Sequence, residues 1–329
     1  MRINPNVLVV DVSDYCTRID AKELEDNGVK AVIVGLYHTT VNGKRILSRK
    51  SREHCINVAT KSSMVLQAYC WDDIIDDPIA QANWLADTMV IEGLPIRWVW
   101  ADQEQWWTNW AAWYVGIRTG DYSKVPIGDP VKISLHFQKF METLYARDPA
   151  SGVYCNNGFI TSWAPKMDEW LPKYLSWVPQ YGRQPTGKTS MTWDQLRMSW
   201  MPSYDIRLSK GQVPTKVVGH QFTGDRCLLP GTYDQLGRKM PCDVSTFFPE
   251  WIKGGLEPLP TPPPPTPSYK NYIVVQGAIN VRKGPATTFA VVRTAMKNEV
   301  LHILSIPTTN GYAQMTDGNW VYASYLALL

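Results

Sequence analysis

Two acids, Asp102 and Glu104, stand two positions apart directly after the apolar run Trp98-Val99-Trp100-Ala101. If that run is a strand, side chains at i and i+2 share one face, with alpha carbons roughly 6.5 Å apart. Carboxyls this close oppose each other's ionisation, which lifts one pKa towards neutral and leaves the other group charged. Such a pair suits glycosidic bond cleavage: one acid protonates the leaving oxygen while the other carboxylate manages the cationic sugar or the attacking water. The competing reading is two solvated loop acids, since D-x-E occurs in many proteins. The apolar run before the pair and Trp106-Trp107 after it favour a pocket.

Other polar residues fall at the ends of apolar runs in the same manner. Asp11 lies at the end of Val7–Val12, Tyr69 and Asp72 at the end of Met64–Cys70, Asn156 and Asn157 after Gly152–Cys155, and Gln221 within Val217–Phe222. With Ala31–Leu36, Ile96–Ala101 and Ser176–Pro179 these make the candidate strands. Several are hydrophobic throughout, as strands buried on both faces are. Helix-like stretches fill the gaps, two of them opened by Asp77-Pro78 and Asp129-Pro130, a capping acid before a first-turn proline. The alternation predicts an α/β fold, a parallel (β/α) barrel or a related incomplete barrel, whose strand ends converge on one face. A doubly wound sheet is the competing architecture, but no Gly-rich phosphate loop follows the first strand.

The 329 residues carry 33 Lys+Arg against 30 Asp+Glu, a net +3, too weak a field for non-specific nucleic-acid binding. The start, Met1-Arg2-Ile3-Asn4-Pro5, lacks the pattern of a signal peptide, and no run is apolar enough to span a membrane. The expectation is synthesis in the cytoplasm and no membrane insertion. Cys16, Cys55, Cys70, Cys155, Cys227 and Cys242 form no CxxC pair and read as buried thiols; a Cys227–Cys242 bridge is conceivable across one loop. His38, His54, His136, His220 and His302 show no ligand spacing, so neither metal nor other cofactor is expected. His54 and His136 read as ordinary helix residues, and His38, at a strand end, is the histidine placed to reach a cleft.

A proline run, 254–268, divides the chain into 1–253, a linker and 269–329. Fourteen of the 15 tryptophans precede it. Trp106, Trp110 and Trp113 fall at i, i+4 and i+7, one helix face, readable as core or as a sugar-stacking stripe. Trp107, off that stripe, is the better platform candidate, and Trp177 reads as half core and half cleft wall.

The ordered set Val10-Asp11-Val12-Ser13-Asp14-Tyr15, Asp102-Gln103-Glu104, Gly152-Val153-Tyr154, Trp177 to Tyr181, His220-Gln221-Phe222-Thr223 and Cys242-Asp243-Val244-Ser245 resembles family 25 glycoside hydrolases, the Chalaropsis-type lysozymes common in phage lysins. The resemblance covers residues 5 to 250 and implies an N-acetylmuramidase that cuts the β-1,4 bond between N-acetylmuramic acid and N-acetylglucosamine in bacterial peptidoglycan. It implies Asp11, Asp102, Glu104 and Asp243 as the catalytic acids, Glu104 being the proton donor. Tyr69, Tyr154, Tyr181 and Gln221, with Trp107 and Trp177, are the substrate-binding candidates. Asp243 also reads as an N-cap for a helix starting at Val244. The chain departs from the family at Val34-Gly35-Leu36-Tyr37-His38, at Ala68-Tyr69-Cys70-Trp71, at His220 and Phe222, and in an apparent insertion from Trp106 to Lys132.

The last sixty or so residues are short strands with turn signals, predicted to form a small β-barrel. The segments Asn280-Val281-Arg282-Lys283-Gly284-Pro285, Gly318-Asn319-Trp320-Val321 and Ser324-Tyr325-Leu326 resemble bacterial SH3-like domains. This resemblance implies a module that holds wall peptide or glycan. The expected whole is a phage or prophage endolysin that acts on the wall after release. The alternatives are a wall-binding or virion structural protein with an inactive barrel, and a hydrolase of another amino-sugar polymer such as chitin.

Overall fold

The computed structural model describes residues 7–41, 44–182, 184–199, 205–252, 270–275, 277–315 and 317–328. The chain splits into two compact units, Met1–Glu257 and Pro258–Leu329. The proline-rich segment 254–268 lies outside the described residues.

Eight strands of the first unit close into a barrel. They are β1 (Val7–Val12), β2 (Val29–Gly35), β3 (Val65–Trp71), β4 (Val99–Asp102), β5 (Ser151–Tyr154), β6 (Leu175–Pro179), β7 (Val217–Tyr233) and β8 (Lys239–Phe247). Strands β1 to β7 pair in chain order, all parallel. Strand β8 then closes the ring, antiparallel to both β7 and β1. The (β/α) barrel is thus complete, with its last strand reversed. That strand was not among the expected seven, and Asp243 lies within it opposite Asp11 rather than capping a helix.

Period-two alternation decides what faces inward. Trp100, Trp177 and Phe247 come from β4, β6 and β8, which are not neighbours, yet their ring centroids lie 5.8 to 6.0 Å apart. They meet across the barrel interior. Glycines make the room: a Cβ on Gly219 would lie 2.4 Å from the Phe247 ring, and one on Gly152 2.6 Å from Trp100. The buried indole donors are satisfied inside, Trp100 Nε1 by Gln67 Oε1 at 2.8 Å and Trp177 Nε1 by Ser245 Oγ at 3.0 Å. The alternate residues Val10, Val32, Val34 and Ala101 point outward into a second core beneath the helices.

Helices α1 (Ala21–Asp26), α2 (Arg49–Lys61), α3 (Pro78–Ile91), α4 (Trp110–Thr119), α5 (Pro130–Arg147) and α6 (Asn157–Trp163) occupy the crossovers. The Asp-Pro starts behave as expected. Asp77 accepts from Ala80 N, and Asp129 from Val131 N and Lys132 N, with proline in the first turn. No helix of the described residues is long and apolar enough to cross a membrane.

In the second unit, strands between Lys270 and Leu328 form one seven-stranded sheet whose pairings are all antiparallel. Val274, Ile279, Val281, Leu301, Ile303 and Val321 make its own core. Arg282 supports a turn, its Nη1 donating to the carbonyls of Thr287 and Phe289 at 2.9 and 2.8 Å.

Candidate active site

Alternation carries acids to the barrel mouth. Asp11 continues the inward series of Val7 and Val9, Asp102 that of Trp98 and Trp100, and Asp243 that of Ser245 and Phe247. They line one cleft of about 680 Å³ together with Glu104, Tyr69, Tyr154, Trp177, Tyr181 and Gln221. All four expected acids are therefore in one place, as are five of the six expected substrate-binding residues.

Asp11 is gripped by Gln221, whose Nε2 donates to Oδ1 at 3.1 Å and Oδ2 at 3.0 Å. The amide is itself oriented, because Gln221 Oε1 accepts from Tyr154 OH at 2.7 Å and from Tyr181 OH. Asp243 Oδ1 accepts from the backbone N–H of Asp225 at 2.6 Å. Tyr69 OH pairs with Tyr37 OH at 2.7 Å. Asp102 differs: it is 6% exposed and its Oδ1 is buried without a hydrogen-bond partner.

Glu104 lies just beyond β4, on the same side as Asp102, and two buried glutamines fix that placement. Gln103 turns away from the cleft, its Nε2 donating to Asp72 Oδ2 at 3.2 Å and to the Phe137 carbonyl at 3.0 Å. Gln105 accepts from Trp71 Nε1 at 2.7 Å and donates to the Trp107 carbonyl at 3.0 Å and Asp73 Oδ1 at 3.1 Å. Asp72, fully buried, is held in turn by His136 at 2.9 Å. So Asp72 is a tether behind the cleft rather than a cleft residue, and His136 is its partner rather than an ordinary helix residue. Sequence reading gave Gln103 no role beyond its place between the two acids and missed Gln105. Asn156, also expected in the cleft, caps α6 by accepting from Phe159 N at 2.8 Å.

Burial dominates the electrostatics. It lifts the Glu104 carboxyl to about 7 and Asp11 to about 7; the Asp225 and Glu104 charges add to the Asp11 rise, and the Gln221 hydrogen bonds oppose it. Asp102 is pushed well above the ordinary carboxylate range by burial and then by the Glu104 and Asp11 charges. Asp243 is raised by burial and by Asp11. Burial and mutual repulsion together keep protons on this cluster above the ordinary carboxylate range. Among the described residues no group of three or more His, Cys, Asp or Glu is placed to hold a metal ion. All six cysteines are buried and unpaired; Cys227 and Cys242 face each other across β7 and β8.

Two expectations are corrected. Trp107 is 3% exposed and stacks face to face on Trp113, centroids 3.7 Å apart and planes at 2°. With that face covered, it packs the Trp106–Lys132 segment; it does not line the cleft of the four acids and borders an adjoining aromatic groove instead. His38 likewise misses the cleft and lies edge-on to Trp84 at 5.1 Å.

Among solved structures the chain is similar to a family 25 glycosyl hydrolase from Bacillus anthracis (14% identity, 74% of this chain and 89% of that one, TM-score 0.48). It is also similar to a bacterial lysozyme from Streptomyces coelicolor (13%, 73% and 91%, TM-score 0.49) and to the CTP1L endolysin (18%, 74% and 67%, TM-score 0.47). No family model matches the sequence, and no curated protein does.

Proposed function

We propose that the first unit is a peptidoglycan hydrolase, an N-acetylmuramidase that cleaves the β-1,4 bond between N-acetylmuramic acid and N-acetylglucosamine. The observation that carries the reading is the convergence of Asp11, Asp102, Glu104 and Asp243 in one cleft. Glu104 is the general acid that gives its proton to the leaving glycosidic oxygen. Asp102, beside it on the cleft floor, is placed to stabilise positive charge developing on the sugar. Asp11, held by Gln221, positions either a water or the substrate's acetamido group, and Asp243 shapes the opposite wall. A water attack inverts the anomeric centre and acetamido attack retains it, so the anomer of the first product identifies the route.

In this reading residues 269–329 form an SH3-like module that holds the enzyme on the bacterial wall, and the chain is a phage or prophage endolysin that acts after release from the cell that makes it.

The test is digestion of purified peptidoglycan by wild type and Glu104→Gln, followed by borohydride reduction and mass spectrometry of the new reducing ends. Muramitol ends are expected, made roughly 10²- to 10⁴-fold more slowly by the variant. Glucosaminitol ends would assign a different bond. Equal rates for the two proteins would remove Glu104 as the acid.

A further inference from the structure

Beside the cleft runs a groove of about 520 Å³, within the size range of small-ligand sites. It shares Tyr15, Tyr37 and Trp71 with the cleft, so the two are continuous. Its far wall comes from α4, in the segment that departs from the family pattern. Trp110 and Tyr114 stack there with centroids 5.8 Å apart, and Trp71 lies 6.2 Å from Trp110. The walls are fixed: Trp110 Nε1 donates to Asp73 Oδ2 at 2.8 Å and Trp84 Nε1 to the Arg45 carbonyl at 3.2 Å. Tyr15, on the loop after β1, is 78% exposed at the junction.

The groove's charged side chains are already engaged. Asp14 accepts from the hydroxyls of Ser48 and Ser51 at 2.5 and 2.9 Å. Asp73 accepts from Ile75 N, Gln105 and Trp110. Nothing here calls for a charged ligand. Flat aromatic walls whose charged neighbours are already engaged suit a neutral ring that offers apolar C–H faces and a hydroxyl rim, which describes a pyranose.

We infer that this groove is an additional carbohydrate subsite, taking a further N-acetylhexosamine ring of the same glycan strand that lies in the cleft. The inference rests on the glycan-cleaving reading of that cleft. It makes Trp110 and Tyr114 determinants of chain-length preference rather than of bond cleavage.

The experiment measures binding of N-acetylglucosamine trimer and hexamer by calorimetry to the full-length Glu104→Gln protein, with and without Tyr114→Ala. Tyr114 is half exposed, so its truncation leaves the core intact. The truncation is expected to weaken hexamer binding about tenfold, the scale of losing one aromatic anchor, and to leave the trimer unchanged. Unchanged hexamer binding, or equal loss for both oligomers, overturns the subsite, as does a groove that binds an acyl chain and no oligosaccharide. Cleavage of glycan strands by the Tyr114→Ala enzyme separates the two claims. If wild type cuts nothing while hexamer binding depends on Tyr114, the catalytic reading fails and the subsite stands. If cutting proceeds with no dependence on Tyr114 or chain length, the reverse holds.

Discussion

Glu104 is a carboxyl that folding makes less acidic, and this has a thermodynamic consequence. Its folded-state value of about 7 lies above the ordinary 4.5, so between those values the native state holds a proton that the unfolded chain has lost. Unfolding then releases the proton, and stability falls as pH rises through that window. The penalty is absent below about pH 4 and complete above about pH 7. Glutamine cannot ionise. Glu104→Gln is therefore expected to stabilise the first unit at pH 8 by on the order of 1–3 kcal/mol, a discounted figure for a coupled, partly exposed group. That is a rise of roughly 3–8 °C in Tm, with no gain at pH 4, measured by calorimetry across pH. A variant that loses activity and gains stability marks a residue kept for chemistry rather than folding. The acid pair was legible in the sequence because i and i+2 on a strand end share a face. Its supports were not, since Gln103 and Gln105 look like any polar linker residues and His136 meets Asp72 across 64 positions. Trp107 was misjudged because the helical stripe does not extend back to Trp106; α4 begins at Trp110, after the Asn109 cap.

Strand periodicity exposed seven barrel strands and concealed the eighth. Continuous apolar runs announce strands packed on both faces, whereas Lys239–Phe247 reads KMPCDVSTF, with proline, aspartate, serine and threonine where an apolar run would be expected. Those polar residues are there because the strand carries Asp243 to the cleft and places Ser245 under the Trp177 indole. The aromatic count makes sense at this scale as well, since bulky rings from alternate strands fill a barrel wherever facing residues are small. Gly219→Ala tests this packing. Its methyl would lie 2.4 Å from the Phe247 ring inside a closed interior, so the expected cost is about 1–3 kcal/mol, read as a lower Tm. Gly187→Ala is the control, because an added Cβ there meets nothing within 4 Å. Equal Tm values for the two variants would mean that the interior yields to an extra methyl.

The two compact units each have their own core. The surplus of basic residues is confined to the second unit, where Lys270, Arg282, Lys283, Arg293 and Lys297 face only Glu299 and Asp317 as acids. What that unit binds was not legible, because short alternating strands specify an antiparallel sheet and leave any ligand to surface residues with no spacing of their own. Its proposed role nevertheless makes a prediction that depends only on the covalent link. An insoluble wall presents many copies of the substrate at a surface, so an attached binder raises the effective concentration of the cleft there without altering the chemistry. A soluble glycan fragment offers no such surface. Deleting residues 269–329 is therefore expected to slow lysis of whole walls by tenfold or more at dilute enzyme, while kcat/KM on soluble strands stays within about twofold. Equal losses on both substrates would mean that the second unit supports the fold or the cleft of the first, and wall anchoring would no longer describe it.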